Sequence, residues 1–301
     1  MRKFLLWIVS GLISLAATAQ AEKDQTLLWK ISGNGLAKPS YLFGTIHMIC
    51  GDDIQLSDSL RGAIRGSDDV YLELDMDNMF ELMGAMTKMK MNGDTTLADL
   101  LTPAEYAKVK AFFSKGAGLL PFNMLETFKP LLAASTLMQS AINCENPIAM
   151  EQLVMKEAKY HDKSIKGLET MAFQMSIFDS IPYKLQAKQL LEYVESDAKG
   201  TKNQEFETMV DAYRSQDLKK LEAITLSDEA GMKHFTDILL YNRNARWAAK
   251  LQRLMGEGSV VIAVGAGHLP GDRGLISLLR KMGYTVRGVQ NHMVKKQSKE
   301  L

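Results

Sequence analysis

Two short segments of this chain share one pattern: Gly44-Thr45-Ile46-His47 and Gly265-Ala266-Gly267-His268. Each is Gly-x-x-His, and each follows an apolar run, Tyr41-Leu42-Phe43 in one case and Val260-Val261-Ile262-Ala263-Val264 in the other. Such runs suit buried strands, so each histidine is expected just past a strand's carboxyl end. In open α/β sheets that rim is where ligands bind. Glycine lets the backbone turn sharply and approach a ligand closely. Imidazole is the commonest metal ligand and a frequent general base. If the two strands are parallel neighbours, both imidazoles face one crevice. One such segment alone is as well explained by a loop histidine bonded to backbone; the repetition in one strand context favours a site.

Two carboxylates and a cation extend the set. Glu73 lies in Tyr71-Leu72-Glu73-Leu74-Asp75, a strand otherwise built for burial. A buried carboxylate without a partner is costly, so such groups pair or bind metal; the alternative is a sheet edge facing solvent. Glu169 ends another short strand, Ser164-Ile165-Lys166-Gly167-Leu168-Glu169, and is a second candidate or a solvent-facing strand end. Arg243 belongs to a long helix whose apolar face carries Leu239, Trp247, Leu251 and Leu254. It is either an ordinary exposed arginine or a fixed cation that holds a carboxylate or polarises a carbonyl. Two imidazoles and a carboxylate around one divalent ion suit manganese, cobalt, iron or zinc equally. His161, His234 and His292 sit in polar surroundings and carry no such pattern. Met76, Met79, Met83, Met86, Met89 and Met91 mostly recur at helical spacing. That spacing predicts a helix packing its methionine face into the core, with copper binding or a partner groove as other uses.

These residues need a scaffold. Leu27–Ile31 and Ser40–Gly44 read as a hairpin around Ser32-Gly33-Asn34-Gly35. Ser57–Arg65 reads as a short helix and Val70–Leu74 as a strand. From Asp77 to about Lys220 the pattern is mostly helical, and it is helical again from Asp228 to Met255. Thr102-Pro103-Ala104-Glu105 is a helix start with a capping pair and proline at the first position. Ser259–Val264, the Leu275–Met282 helix ended by Gly283, and Tyr284–Val289 form a strand–helix–strand crossover. Residues after Asn291 read as a frayed polar tail. The fold class expected is α/β: a central mixed, largely parallel sheet formed by the terminal segments, with a helix-rich cap at about 77–255 inserted in a single domain, 22–301.

At 301 residues, with 46% apolar and 24% charged side chains, the chain is of ordinary globular make-up and large enough for its own core. A net charge of +1 gives no general electrostatic reason to bind nucleic acid. Arg2 and Lys3, the apolar run Phe4–Ala17 and the small residues Ala17, Ala19 and Ala21 read as a secretory signal over residues 1–21, cleaved after Ala19 or Ala21. The run is short of the ~20 residues a bilayer span needs, and no later run approaches that length. The expected protein is exported, periplasmic in a Gram-negative source, with no integral membrane segment. Export permits a bridge between Cys50 and Cys144; two buried thiols, or a soft-metal role for His47-x-x-Cys50, are the other readings. P-loop, Gly-x-Gly-x-x-Gly, His-Glu-x-x-His and Gly-x-Ser-x-Gly patterns are absent, which disfavours NTPases, dinucleotide enzymes, zincins and α/β-hydrolases.

In order along the chain, Tyr41-Leu42-Phe43-Gly44-Thr45-Ile46-His47, Leu72-Glu73-Leu74-Asp75, Gly167-Leu168-Glu169-Thr170 and Val264-Gly265-Ala266-Gly267-His268-Leu269 resemble the TraB/GumN family, related to the TIKI proteases. The resemblance covers about residues 27–290. It implies metal dependence, with manganese or cobalt favoured, and places His47, His268 and Glu73 in the active site, with Glu169 and Arg243 at further matching positions. A metal-dependent hydrolase acting on a peptide or protein substrate is the function it implies. Its wider fold group includes erythromycin esterases and a haem-binding protein of the ChaN type. A metal-free esterase and a periplasmic haem or metal carrier are therefore the rival expectations, because fold does not fix function.

Overall fold

The computed structural model describes residues 25–114, 121–140, 144–198, 202–227 and 235–295. The expected signal segment and His234 lie outside them. Six strands form one sheet: β1 (Leu28–Ser32), β2 (Ser40–Thr45), β4 (Asp69–Leu72), β6 (Ser164–Gly167), β7 (Val260–Gly265) and β8 (Thr285–Gly288), in the order β6-β4-β7-β2-β1-β8. β6, β4, β7 and β2 are mutually parallel. β1 alone runs antiparallel to its neighbours, β2 and β8. The sheet is thus mixed and largely parallel, built from segments near both ends of the described chain.

The continuous apolar run explains why β7 is central. Val260 to Val264 are all buried, as a strand covered on both faces requires. β1 and β2 form the expected hairpin, with Gly33, Asn34 and Gly35 all at positive φ in the turn. The hairpin also alters the crossover at the carboxyl end. β7 leads through the helix Leu275–Lys281 to β8, which runs parallel to it, but β2 and β1 lie between them. The helix Asp58–Gly66, capped by the Ser57 hydroxyl on the Leu60 N–H, buries Leu60, Ala63 and Ile64 in the sheet's core. The helix Asn242–Glu257 buries Trp247, Ala248, Leu251, Leu254 and Met255 in the same core.

The middle of the chain is helix-rich and has a core of its own around Leu97, Val109, Leu125, Leu190 and Val194. Its helix Pro103–Ser114 starts as expected, with Thr102 and Glu105 bonded reciprocally. A two-stranded sheet, β3 (Ile49–Cys50) with β5 (Pro147–Ile148), joins the middle to the rim beyond β2. Cys50 and Cys144 are disulfide-bonded there, 94 residues apart in sequence. Among the described residues no helix is long and apolar enough to cross a membrane.

Two expectations need correction. The methionines at 79, 83 and 86 do not pack into the core: the helix Met79–Met86 leaves them exposed, and Phe80 is 90% exposed. It buries Ala85 instead, against Met171 and Met175. Spacing defines a helical face but does not say what covers it. The segment after Asn291 is not frayed through Lys295. Asn291 is 3% and Met293 1% exposed, Ser57 Oγ donates to Asn291 Oδ1 at 2.6 Å, and Lys295 N–H donates to the Asp53 carbonyl at 2.9 Å. Local polarity hid these long-range partners.

Candidate active site at the carboxyl rim of the sheet

Four adjacent parallel strands end side by side, and each delivers one chemically active residue within three positions of its end. β6 leads to Glu169, β4 to Glu73, β7 to His268 and β2 to His47. β4 stops at Leu72, so Glu73 is the first residue past an interior strand, not part of an edge. Glu169 N–H donates to the Glu73 carbonyl at 3.0 Å, which extends the β4–β6 ladder into the site. β2 and β7 are neighbours with Thr45 opposite Gly265, so the two Gly-x-x-His turns lie beside each other.

The glycines serve close approach. Gly265 N–H donates to Glu73 Oε1 at 2.8 Å, and a Cβ on Gly265 would stand 3.2 Å from that oxygen. A Cβ on Gly44 would fall 2.8 Å from Leu269 Cδ1 and 3.1 Å from Ala266 Cα. The two turns can pack together only because Gly44 has no side chain.

Arg243 organises the carboxylates. A π-turn, Asp237–Tyr241, runs straight into its helix, and Nη1 donates to the Leu239 carbonyl at 2.9 Å. Nη2 lies 2.5 Å from Glu73 Oε2 and 2.6 Å from Glu169 Oε1. Nε donates to Glu169 Oε1 at 3.0 Å, and Nη1 stands 3.2 Å from His268 Nε2. Arg243 is therefore a buried, fully engaged cation, not an exposed surface residue. A guanidinium suits this role because its planar donor fork can serve several acceptors at once.

His268 is buried, its side chain 7% exposed. Asn244 Nδ2 donates to the Arg273 carbonyl at 3.0 Å, which turns Asn244 Oδ1 toward His268 Nδ1 at 2.6 Å. An amide oxygen accepts only, so this network assigns the proton to Nδ1 and leaves the Nε2 lone pair facing Arg243 and Glu73. His47 is placed differently. Its side chain is 78% exposed, and its Nδ1 lies 2.9 Å from Glu151 Oε1, which also accepts from Thr45 Oγ1 at 2.6 Å.

Electrostatics separates like from like. Burial pushes His268 down to about 4. The hydrogen bond to the Glu151 carboxylate holds His47 up at about 9. Burial works against the Glu73 charge, but His268 and Arg243 outweigh it and hold its carboxyl at about 2. Burial raises Glu169, and Arg243 only partly offsets that. Two carboxyls sharing one guanidinium are thus driven apart, the arrangement by which active sites assign a fixed anion and a proton-exchanging group.

The donors fit a divalent ion in part. Ligand distances near ~2.0–2.2 Å place two donors on one ion at most about 4.4 Å apart. Glu73 Oε1 and His268 Nε2 are 3.7 Å apart, and the assigned tautomer points the Nε2 lone pair into that gap. His47 is outside this pair: among the described residues, His47, His268 and Glu73 do not close to within 4.8 Å of one another. Among the described residues the trio that does, Cys50, Asp52 and Cys144, has both sulfurs in the disulfide. The structure thus joins Glu73, Glu169, Arg243 and His268, and leaves His47 with Glu151.

Glu151 and Asn244 were not among the expected site residues. Asn244 had a readable signal: it lies three positions before Trp247 and seven before Leu251, on the helix's apolar stripe, where a polar side chain must find a partner. Glu151 had none, since an acid in a helix's first turn is commonplace.

Known proteins similar to this chain carry metalloprotease names. The chain is 22% identical to the protein named Metalloprotease TIKI2 of Danio rerio, over 88% of this chain and 61% of the relative. It is 23% identical to Metalloprotease TIKI1 of Danio rerio, over 87% and 62%, and 22% identical to a Metalloprotease TIKI homolog of Nematostella vectensis, over 84% and 65%. The chain thus spans under two thirds of the length of these curated relatives. No solved structure matches it. The profile of the TraB/PrgY/gumN family matches residues 27–288, which include all four rim residues and Arg243, and the chain belongs to that family.

Proposed function

We propose that this protein is an exported, metal-dependent hydrolase of peptide substrates. The observation that carries the reading is the convergence of Glu169, Glu73 and His268 on Arg243 at the carboxyl ends of adjacent parallel strands. His268 and Glu73 would hold the ion, with His47 as the further donor that the family pattern suggests; manganese, cobalt, iron and zinc all suit such donors. A bound divalent ion supplies polarisation of the scissile carbonyl and a water acidic enough to attack at neutral pH. Glu73 remains ionised and keeps its place through Arg243 and Gly265. Glu169, with its raised proton affinity, takes the proton at Oε1 or Oε2 and returns it to the leaving amine. Arg243 holds the two carboxylates in register and balances charge as Glu169 gains and gives up its proton. Asn244 fixes the His268 ring. The disulfide supports a site of action outside the reducing cytoplasm.

Elemental mass spectrometry on apo protein reloaded with each ion tests this. About one ion per chain is expected, lost in His268→Ala and Glu73→Ala, together with cleavage of a quenched peptide library. One observation favours a second reading, a metal-free esterase-like hydrolase: the Arg243 guanidinium already lies on the Glu73 and His268 donor atoms. Hydrolysis by folded wild type that binds no ion would establish that reading and end the first.

A further inference from the structure

A cavity of about 430 Å³ opens beside the site. One wall is made by both Gly-x-x-His turns, through Ile46, His47 and Gly267. The opposite wall is Met209, Tyr213 and Ile224, from the helices Lys202–Arg214 and Leu218–Thr225. Two contacts clamp these walls together. Tyr213 donates its hydroxyl proton to the Gly44 carbonyl at 2.9 Å, deep in the core. Gly267 lies so close to Thr225 that a Cβ would come within 3.0 Å of its hydroxyl. The cavity is therefore part of the folded rim, and its volume is in the range of about 300–1,000 Å³ usual for small-ligand sites.

Its chemistry selects the occupant. Among the described residues, no lining residue apart from His47 is ionisable near neutral pH, since burial raises Tyr213 well above the usual phenol range. The hydroxyls in the lining are already engaged within the protein. Thr45 donates to Glu151, Ser135 to the Leu132 carbonyl at 2.8 Å, and Thr225 to the Leu221 carbonyl at 2.8 Å. Away from His47, a polar group entering here would lose water and gain few partners, and a cation would also face the His47 imidazolium, whereas an apolar group gains from burial.

We propose that this cavity is the specificity pocket of the enzyme and takes a large apolar side chain, leucine, methionine or phenylalanine, of the residue next to the cleaved bond. The inference rests on the hydrolase reading. It goes beyond that reading by naming the substrate class: peptides are selected for one bulky apolar residue, and basic or small residues at that position are rejected. His47, on the shared wall, is the element that couples the filled pocket to the rim.

Two measurements test it. The first compares kcat/KM on quenched peptides that differ at one position, for wild type and for Ile224→Trp, which narrows the pocket. Wild type is expected to favour leucine or phenylalanine over alanine or lysine by about 10- to 100-fold, and Ile224→Trp to lose that preference. The second needs no turnover. In protein carrying 13C-methyl methionine, N-acetyl-L-phenylalaninamide should shift the methyl signals of Met209 and of Met48, which also lines the cavity, and the lysine analogue should not. If Ile224→Trp fails to fold by circular dichroism, the methyl shifts decide. Cleavage without side-chain preference and without shifts overturns the pocket and leaves the hydrolase standing. Shifts without cleavage of any peptide overturn the hydrolase and the substrate role alike, and leave an apolar ligand site.

Discussion

The two Gly-x-x-His turns share their first and last residue types, follow neighbouring parallel strands and stand in adjacent register, yet their histidines live in opposite surroundings. His268 is buried, neutral and locked by an asparagine amide. His47 is open to solvent and held in its charged form by a carboxylate. The motif dictates where the backbone turns. Partners from distant segments, Asn244 and Glu151, dictate what each imidazole is. An amide oxygen can accept a proton bond without favouring the cation strongly, whereas a carboxylate favours it outright. The short motif thus builds a rim, and the two helices that carry those partners divide its labour.

The largest expected effect comes from removing the cation on the His268 side. Arg243→Ala leaves Glu73 and Glu169 facing each other in a buried site, and should cost about 3–5 kcal/mol of stability in urea denaturation. Arg243→Lys should recover only part, because a point charge cannot reproduce the fork. The tether on the His47 side is next. Replacing Cys50 and Cys144 by serine frees the segment that leads to Glu151 and should cost about 2–4 kcal/mol, read from denaturation with and without reductant. Asn244→Ala targets the difference itself. With its tautomer released, His268 should lose about 10- to 100-fold in ion affinity or in kcat/KM.

The smallest effect sharpens the contrast through pH. In metal-free protein the raised His47 pKa contributes stability that is full below about 6.5 and is lost as pH rises through about 9. The lowered His268 pKa contributes stability present above about 6.5 and lost as pH falls toward about 4. Glu151→Gln should therefore flatten the alkaline limb of a stability–pH profile and also remove from the acid limb the share of the Glu151 carboxyl, which His47 holds below its usual range against burial.

Much of this was legible in the sequence, and the illegible part has a physical pattern. β7 declared itself because burial on both faces needs an unbroken apolar run, and the glycines of both motifs marked tight turns. Glu73 stood out as a carboxylate inside an apolar segment. What a single segment could not reveal was pairing. Nothing near His47 points to Glu151, more than one hundred positions away, and nothing near Asn291 points to Ser57. The methionines of the Met79–Met86 helix carried the right period for a buried face, but the small Ala85 made the contact instead. Arg243 gave the reverse case: charge suggested exposure, and two carboxylates and an imidazole drew it into the core.

The most direct test of this division is an NMR titration of the two imidazoles in metal-free protein, with His47→Gln and His268→Gln to assign the signals. One midpoint near 9, belonging to His47, and one near 4, belonging to His268, are expected. Two midpoints together near 6.5, or the same two values with the assignments exchanged, would contradict it.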